Sequence, residues 1–104
     1  MNDNKTHQFF MGEALKQAKL SFKDDEVPIG AVLVYQNKII ASGHNLSIAN
    51  HDPSAHAEIL TIRDAGQYLK NYRLLNCSLY VTLEPCVMCL GAIFHARISN
   101  LIFG

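Results

Sequence analysis

The sequence predicts an α/β fold in which a mixed β-sheet carries helices on it. Three observations lead there. Helix-period and strand-like segments follow one another in the order helix, strand, strand, helix, strand, helix, strand. The first two strands are joined by only two residues, Gln36-Asn37, which is hairpin spacing. Helices then separate the second strand from the third and the third from the fourth, so those connections must be crossovers. The 104 residues suit a single domain spanning 1–104, and with 49% apolar residues the chain can build a core and is not a disordered one.

Each element has its own signal. Phe10, Met11, Ala14, Leu15, Ala18 and Phe22 recur at spacings of three and four, which predicts an amphipathic first helix, with Thr6 as its cap. Asp24-Asp25-Glu26 ends it. Ile29–Tyr35 is an apolar run read as a strand, and Lys38–Ser42 is its hairpin partner. Gly43–Asp52 is polar and irregular, a loop. Asp52-Pro53 predicts a helix start, with Asp at the N-cap and Pro at the first helical position, and Gly66 closes that helix. Leu79–Leu83 is a third strand. Pro85 opens a helix to about His95, and Ile98–Phe103 is the fourth strand.

Composition excludes several functions. A formal net charge of +0 gives no global field for nucleic acid, so any such partner needs a local patch or a deep pocket. The longest apolar runs fall far short of the roughly 20 residues of a membrane span. Met1 to His7 is polar and lacks the apolar core of a signal peptide. Three cysteines with one C-x-x-C do not form a disulfide framework, which points to the reducing cytoplasm.

Two short runs carry the chemistry: His56-Ala57-Glu58 and Pro85-Cys86-Val87-Met88-Cys89. Cys86 and Cys89 are three apart at a helix start, which puts both sulfurs on one face. The positive end of that helix favours thiolates. His56 falls in the first turn of the preceding helix. His56 and Glu58 are two apart and would diverge by roughly 200° on a regular helix, so a shared site must lie off the helix end. Two thiolates and a neutral imidazole balance Zn2+ and leave a fourth position for water, the catalytic arrangement. Glu58 is then the carboxylate that moves protons. Other readings stand beside this one. The C-x-x-C could be a redox pair, or His44 or His51 could complete a structural zinc site. Cys77 reads as a buried small hydrophobe, and His7 and His95 as ordinary helix residues.

The pattern H-x-E…P-C-x-x-C is similar to that of zinc-dependent nucleobase deaminases. Flanking residues narrow the likeness. They are Glu26-Val27-Pro28-Ile29-Gly30-Ala31-Val32, Gly43-His44-Asn45, His51-Asp52-Pro53-Ser54-Ala55 before His56, Asn71-Tyr72-Arg73-Leu74, and Leu79-Tyr80-Val81-Thr82-Leu83-Glu84 before Pro85. From about Phe10 to Gly104 the chain resembles the bacterial tRNA-specific adenosine deaminases of the cytidine/deoxycytidylate deaminase superfamily. The resemblance implies a three-layer α/β/α cytidine deaminase-like fold with a mixed sheet, ending after the fourth strand. It implies that His56, Cys86 and Cys89 bind zinc, that Glu58 is the catalytic proton shuttle, and that Asn45 and the Ala57 amide hold the purine.

The implied reaction is hydrolytic deamination of the wobble adenosine of tRNA to inosine, with attack at C6 and loss of ammonia. The implied partners are a tRNA anticodon loop with its base splayed out and a second copy in a homodimer, in the cytoplasm and without a membrane. Guanine and cytosine deaminases share H-A-E and P-C-x-x-C, so a free nucleobase or nucleotide deaminase is the rival activity. A non-catalytic, zinc-stabilised fragment is the other alternative. The family continues past the fourth strand with a further strand, a substrate-side loop and C-terminal helices. The expectation is therefore a chain shortened at its C-terminus, with its last strand on an uncovered edge.

Overall fold

A computed structural model describes residues 4–104. The reading of Met1 to His7 as leaderless thus falls partly outside the described residues. Seven elements follow in order: α1 (Asn4–Lys23), β1 (Gly30–Tyr35), β2 (Lys38–His44), α2 (Ala57–Leu69), β3 (Cys77–Val81), α3 (Val87–His95) and β4 (Asn100–Phe103). The four strands form one sheet in the order β2-β1-β3-β4. β1 is antiparallel to both β2 and β3, and β3 is parallel to β4. The sheet is mixed, as the helix-separated strands predict.

β1 is apolar throughout because both faces of the sheet are covered. Val32 and Val34 pack with Tyr80 against Phe10 and Ala14 of α1. Ala31 and Leu33 face the other way, with Leu79 and Val81, onto Ala57 and Ala65 of α2 and Ile93 of α3. This is the three-layer α/β/α arrangement: α1 on one side, α2 and α3 on the other. The hairpin turn places Gln36 at φ 52° and Asn37 at φ 63°, the twist that two-residue β-hairpins require.

The boundaries depart from expectation in instructive ways. α1 already includes Asn4, so Thr6 lies inside its first turn and does not cap it. The buried stripe of α1 is Phe10, Ala14, Ala18 and Ser21, whereas Leu15 and Phe22 are exposed. The stripe is chosen by size as much as by hydropathy. A Cβ at Gly30 would collide with the Ala14 carbonyl oxygen and the Ala18 amide nitrogen, so the helix backbone lies directly on the start of β1. Only small residues fit such a contact.

α2 begins at Ala57, with His56 as its N-cap, and not at Asp52-Pro53. The Asp52 carboxylate is spent on a turn of its own. Its Oδ1 accepts the Ser54 amide at 2.9 Å and the Ser54 hydroxyl at 2.7 Å, bonds that hold the carboxyl below its usual pKa. Gly66 lies within α2 and does not close it. Helix α2 ends when Lys70 turns left-handed at φ 54°, and the Lys70 and Asn71 amides both donate to the Gly66 carbonyl. β3 starts and ends earlier than Leu79–Leu83; just past its end the Thr82 amide still donates to the Gly30 carbonyl at 3.1 Å, while its hydroxyl accepts the Gly30 amide at 3.2 Å.

Gly30→Ala forces a methyl into the α1 backbone. We expect a loss of about 3 kcal/mol, seen as a melting temperature lower by roughly 10 °C or more at fixed zinc. A melting curve matching wild type would contradict the contact.

Candidate metal centre

The N-termini of α2 and α3 converge on one point. His56 is the N-cap of α2, in extended backbone at φ −76° and ψ 153°. Cys86 is the N-cap of α3 at φ −73° and ψ 173°, and Cys89 lies in its first turn. As His56 is outside the helix, the angular conflict with Glu58 disappears. Neither cap residue makes a side-chain capping bond. Both side chains turn toward each other instead. His56 Nδ1 lies 3.6 Å from Cys86 Sγ and 3.5 Å from Cys89 Sγ. The three ligand atoms all fall within 4.8 Å of one another.

Glu58 follows in the first turn of α2. It is buried, and its Oε1 has no hydrogen-bond partner. A buried carboxylate oxygen left unpaired is costly and marks a place where a ligand or proton belongs. Burial pushes the Cys89 thiol well above its ordinary range, and the nearby Glu58 charge adds to the shift. Each of these features is relieved by a cation. One imidazole nitrogen and two sulfurs at this spacing suit zinc. Among the described residues no further His, Cys, Asp or Glu joins the group. His44 Nδ1 instead meets Gln17 Oε1 at 3.3 Å, and His51 sits in a left-handed turn of the exposed loop. Three protein donors leave one tetrahedral position for water.

Asn45 lies against this group. Its Oδ1 accepts the Ala57 amide at 2.7 Å, satisfying one of the N-terminal donors of α2 that His56 does not cap. Asn45 and Ala57, both assigned to the purine from the resemblance, are thus bonded to each other. The Asn45 side-chain NH2 is the group with donors to offer.

Four further residues hold the site, and the sequence reading gave none of them a part in it. A Cβ at Gly43 would come 2.7 Å from Thr61 Oγ1 and 3.1 Å from the Ala57 carbonyl, so Gly43 lets the first turns of α2 sit on β2. Thr61 is buried and donates to that same carbonyl at 2.7 Å. Glu26 is buried and accepts the Ile48 and Ala49 amides at 3.1 and 2.8 Å. Ser21 donates to the Asn45 carbonyl at 3.0 Å. Glu26 looks like one more solvated acid after a helix, and only the tertiary fold supplies its partners. Of the residues set aside, Cys77 is buried, with its thiol raised by burial, and His7 bonds the Tyr80 hydroxyl at 2.6 Å. His95 closes α3 against Phe94.

Comparison with known proteins places this geometry. Residues 4–104 match the family described as the cytidine and deoxycytidylate deaminase zinc-binding region. The tRNA-specific adenosine deaminase of Buchnera aphidicola subsp. Baizongia pistaciae (strain Bp) is 60% identical over 97 residues, which cover 93% of this chain and 60% of that protein. A structure from studies of A-to-I editing by tRNA:A34 deaminases superposes with a TM-score of 0.91 at 48% identity, covering 93% of this chain and 75% of the other. A guanine deaminase from Bacillus subtilis superposes at 0.92 with 40% identity, covering 100% of this chain and 64% of the other. The chain spans 55–64% of the length of the first curated relatives it matches. The match covers every described residue and includes the His56, Cys86 and Cys89 group, so the chain belongs to the cytidine and deoxycytidylate deaminase zinc-binding family.

Proposed function

We propose that this chain is the zinc-binding domain, over residues 1–104, of a hydrolase that deaminates the wobble adenosine of tRNA to inosine. The observation that carries the reading is the unpartnered, buried Glu58 Oε1 beside a three-donor group with room for one more ligand. His56, Cys86 and Cys89 hold the metal. Zinc, when bound there, supplies a Lewis acid that brings a water's pKa toward about 7. Glu58 takes the proton from the attacking water and returns it to the departing amine, leaving as ammonia. Its burial keeps bulk water from competing for that proton.

Asn45 orients the purine through its side-chain amide, and the Ala57 amide lies at the same wall. Enzymes that do chemistry on a nucleobase act on a base taken out of the stack, so the target nucleotide is unstacked. The choice of tRNA over a free base rests on the relatives named tRNA-specific adenosine deaminase. The homology to a guanine deaminase supports the second reading, a free purine substrate for the same centre. Val87, Leu90 and Phe94 expose an apolar face of α3 beside the site, which supports assembly as a homodimer. No helix among the described residues is long and apolar enough to cross a membrane. The bacterial relatives named tRNA-specific adenosine deaminase support a cytoplasmic location.

Two outcomes are expected. Glu58→Ala retains one zinc per chain by metal analysis while turnover falls by at least about 10²-fold; near-normal turnover in that variant would sink the proton-shuttle role. The zinc-loaded protein, given an unmodified tRNA with a wobble adenosine, produces inosine at that nucleotide alone on sequencing. Ammonia from free guanine or cytosine in parallel reactions, with no inosine in the RNA, would favour the second reading.

A further inference from the structure

We propose that Ser21 is a positioning residue for Asn45, tying the substrate-side wall of the site to α1. Ser21 is wholly buried on the stripe of α1 that otherwise carries Phe10, Ala14 and Ala18. Alanine would satisfy the packing there, as it does at the two preceding positions of the stripe. A helical serine commonly turns its hydroxyl back to the carbonyl four residues earlier. The Ser21 hydroxyl instead reaches across the fold to the Asn45 carbonyl, 3.0 Å away and 24 residues on in sequence.

That bond completes a bracket. The Asn45 amide donates to the Ile29 carbonyl at 3.2 Å, so both of its backbone polar groups are fixed. With the main chain held, the side chain is directed at α2, where Oδ1 takes the Ala57 amide at 2.7 Å. The same end of α1 fixes the rest of the loop. The Glu26 amide donates to the Ser21 carbonyl at 2.9 Å, and its carboxylate receives the Ile48 and Ala49 amides. Ser21 makes no hydrogen bond to His56, Glu58, Cys86 or Cys89, so its effect reaches them only through Asn45 and the Asn45–Ala57 bond.

Loss of the hydroxyl leaves a carbonyl at Asn45 without its donor and lets the peptide tilt, weakening the Asn45–Ala57 bond. The test is amide hydrogen exchange on the zinc-loaded protein. Ser21→Ala is expected to speed exchange at Ala57 by about tenfold, with Ala65, farther along α2, unchanged. Unaltered exchange at Ala57 overturns the proposal. A second arm rests on the deaminase reading: with an anticodon stem-loop bearing a wobble adenosine, Ser21→Ala raises KM about tenfold and leaves kcat within about twofold. A fall in kcat at constant KM overturns the positioning role. If wild type makes no inosine, the functional reading fails while the exchange comparison still decides this one. If Ser21→Ala does not fold, Ser21→Cys keeps the shape of the side chain, slightly enlarged, with a weaker donor and is expected to speed Ala57 exchange in the same way; wild-type exchange in Ser21→Cys overturns the proposal.

Discussion

The site depends on one constraint: two helices must start at the same place. His56 and Cys86 are N-caps, and each gives up the capping bond that an N-cap side chain normally makes. Leaving a cap unfilled costs on the order of 1 kcal/mol. The fold accepts it at α3, and at α2 Asn45 Oδ1 takes the Ala57 amide instead, because the two side chains are needed facing each other. The parallel β3–β4 pairing brings α3 across the sheet onto the face that α2 already covers. Gly43 sets how closely α2 can approach β2, and Thr61 stitches its first turn. Without these contacts the convergence would be lost even with every ligand present in the sequence.

Much of this was legible in the sequence. The order of elements followed from periodicity, and the hairpin from its two-residue turn. The metal donors were readable because His, Cys and Cys at fixed spacing have few other uses. Boundaries were less legible where a local signal had two meanings. Asp52-Pro53 is as good a turn as a helix start, and the choice was made by Ser54, which bonds Asp52 twice. Gly66 resembles a helix stop, yet Lys70 adopts the left-handed conformation in its place. The face of α1 was read correctly at Phe10, Ala14 and Ala18 and drawn too wide at Leu15 and Phe22, which hydropathy favours but the close approach at Gly30 does not need.

The residues that escaped were those whose role exists only in three dimensions. Ser21 and Glu26 sit at the end of a helix, where polar residues are expected and carry no message. Their partners lie more than 20 residues away, in a loop that has no regular structure of its own. The loop from Asn45 to Ala55 is therefore held by Ser21 of α1 and by Glu26 just beyond it, in addition to its own turns. This is how a polar, irregular segment can present a side chain as accurately as a strand would.

The donor set, the raised Cys89 thiol and the unpartnered Glu58 oxygen share one physical meaning. Each is unfavourable in the metal-free chain, and each improves when positive charge arrives. Part of the metal's binding energy is thereby folding energy, since the unfolded chain has no preformed group to offer. His56, Cys86 and Cys89 stand at the starts of α2 and α3, whereas Asn45 is held by α1 and by Ile29 just before β1 and meets α2 at the Ala57 amide. In the proposed reading the substrate wall and the metal donors therefore meet at one bond, from the Ala57 amide to Asn45, between His56 and Glu58.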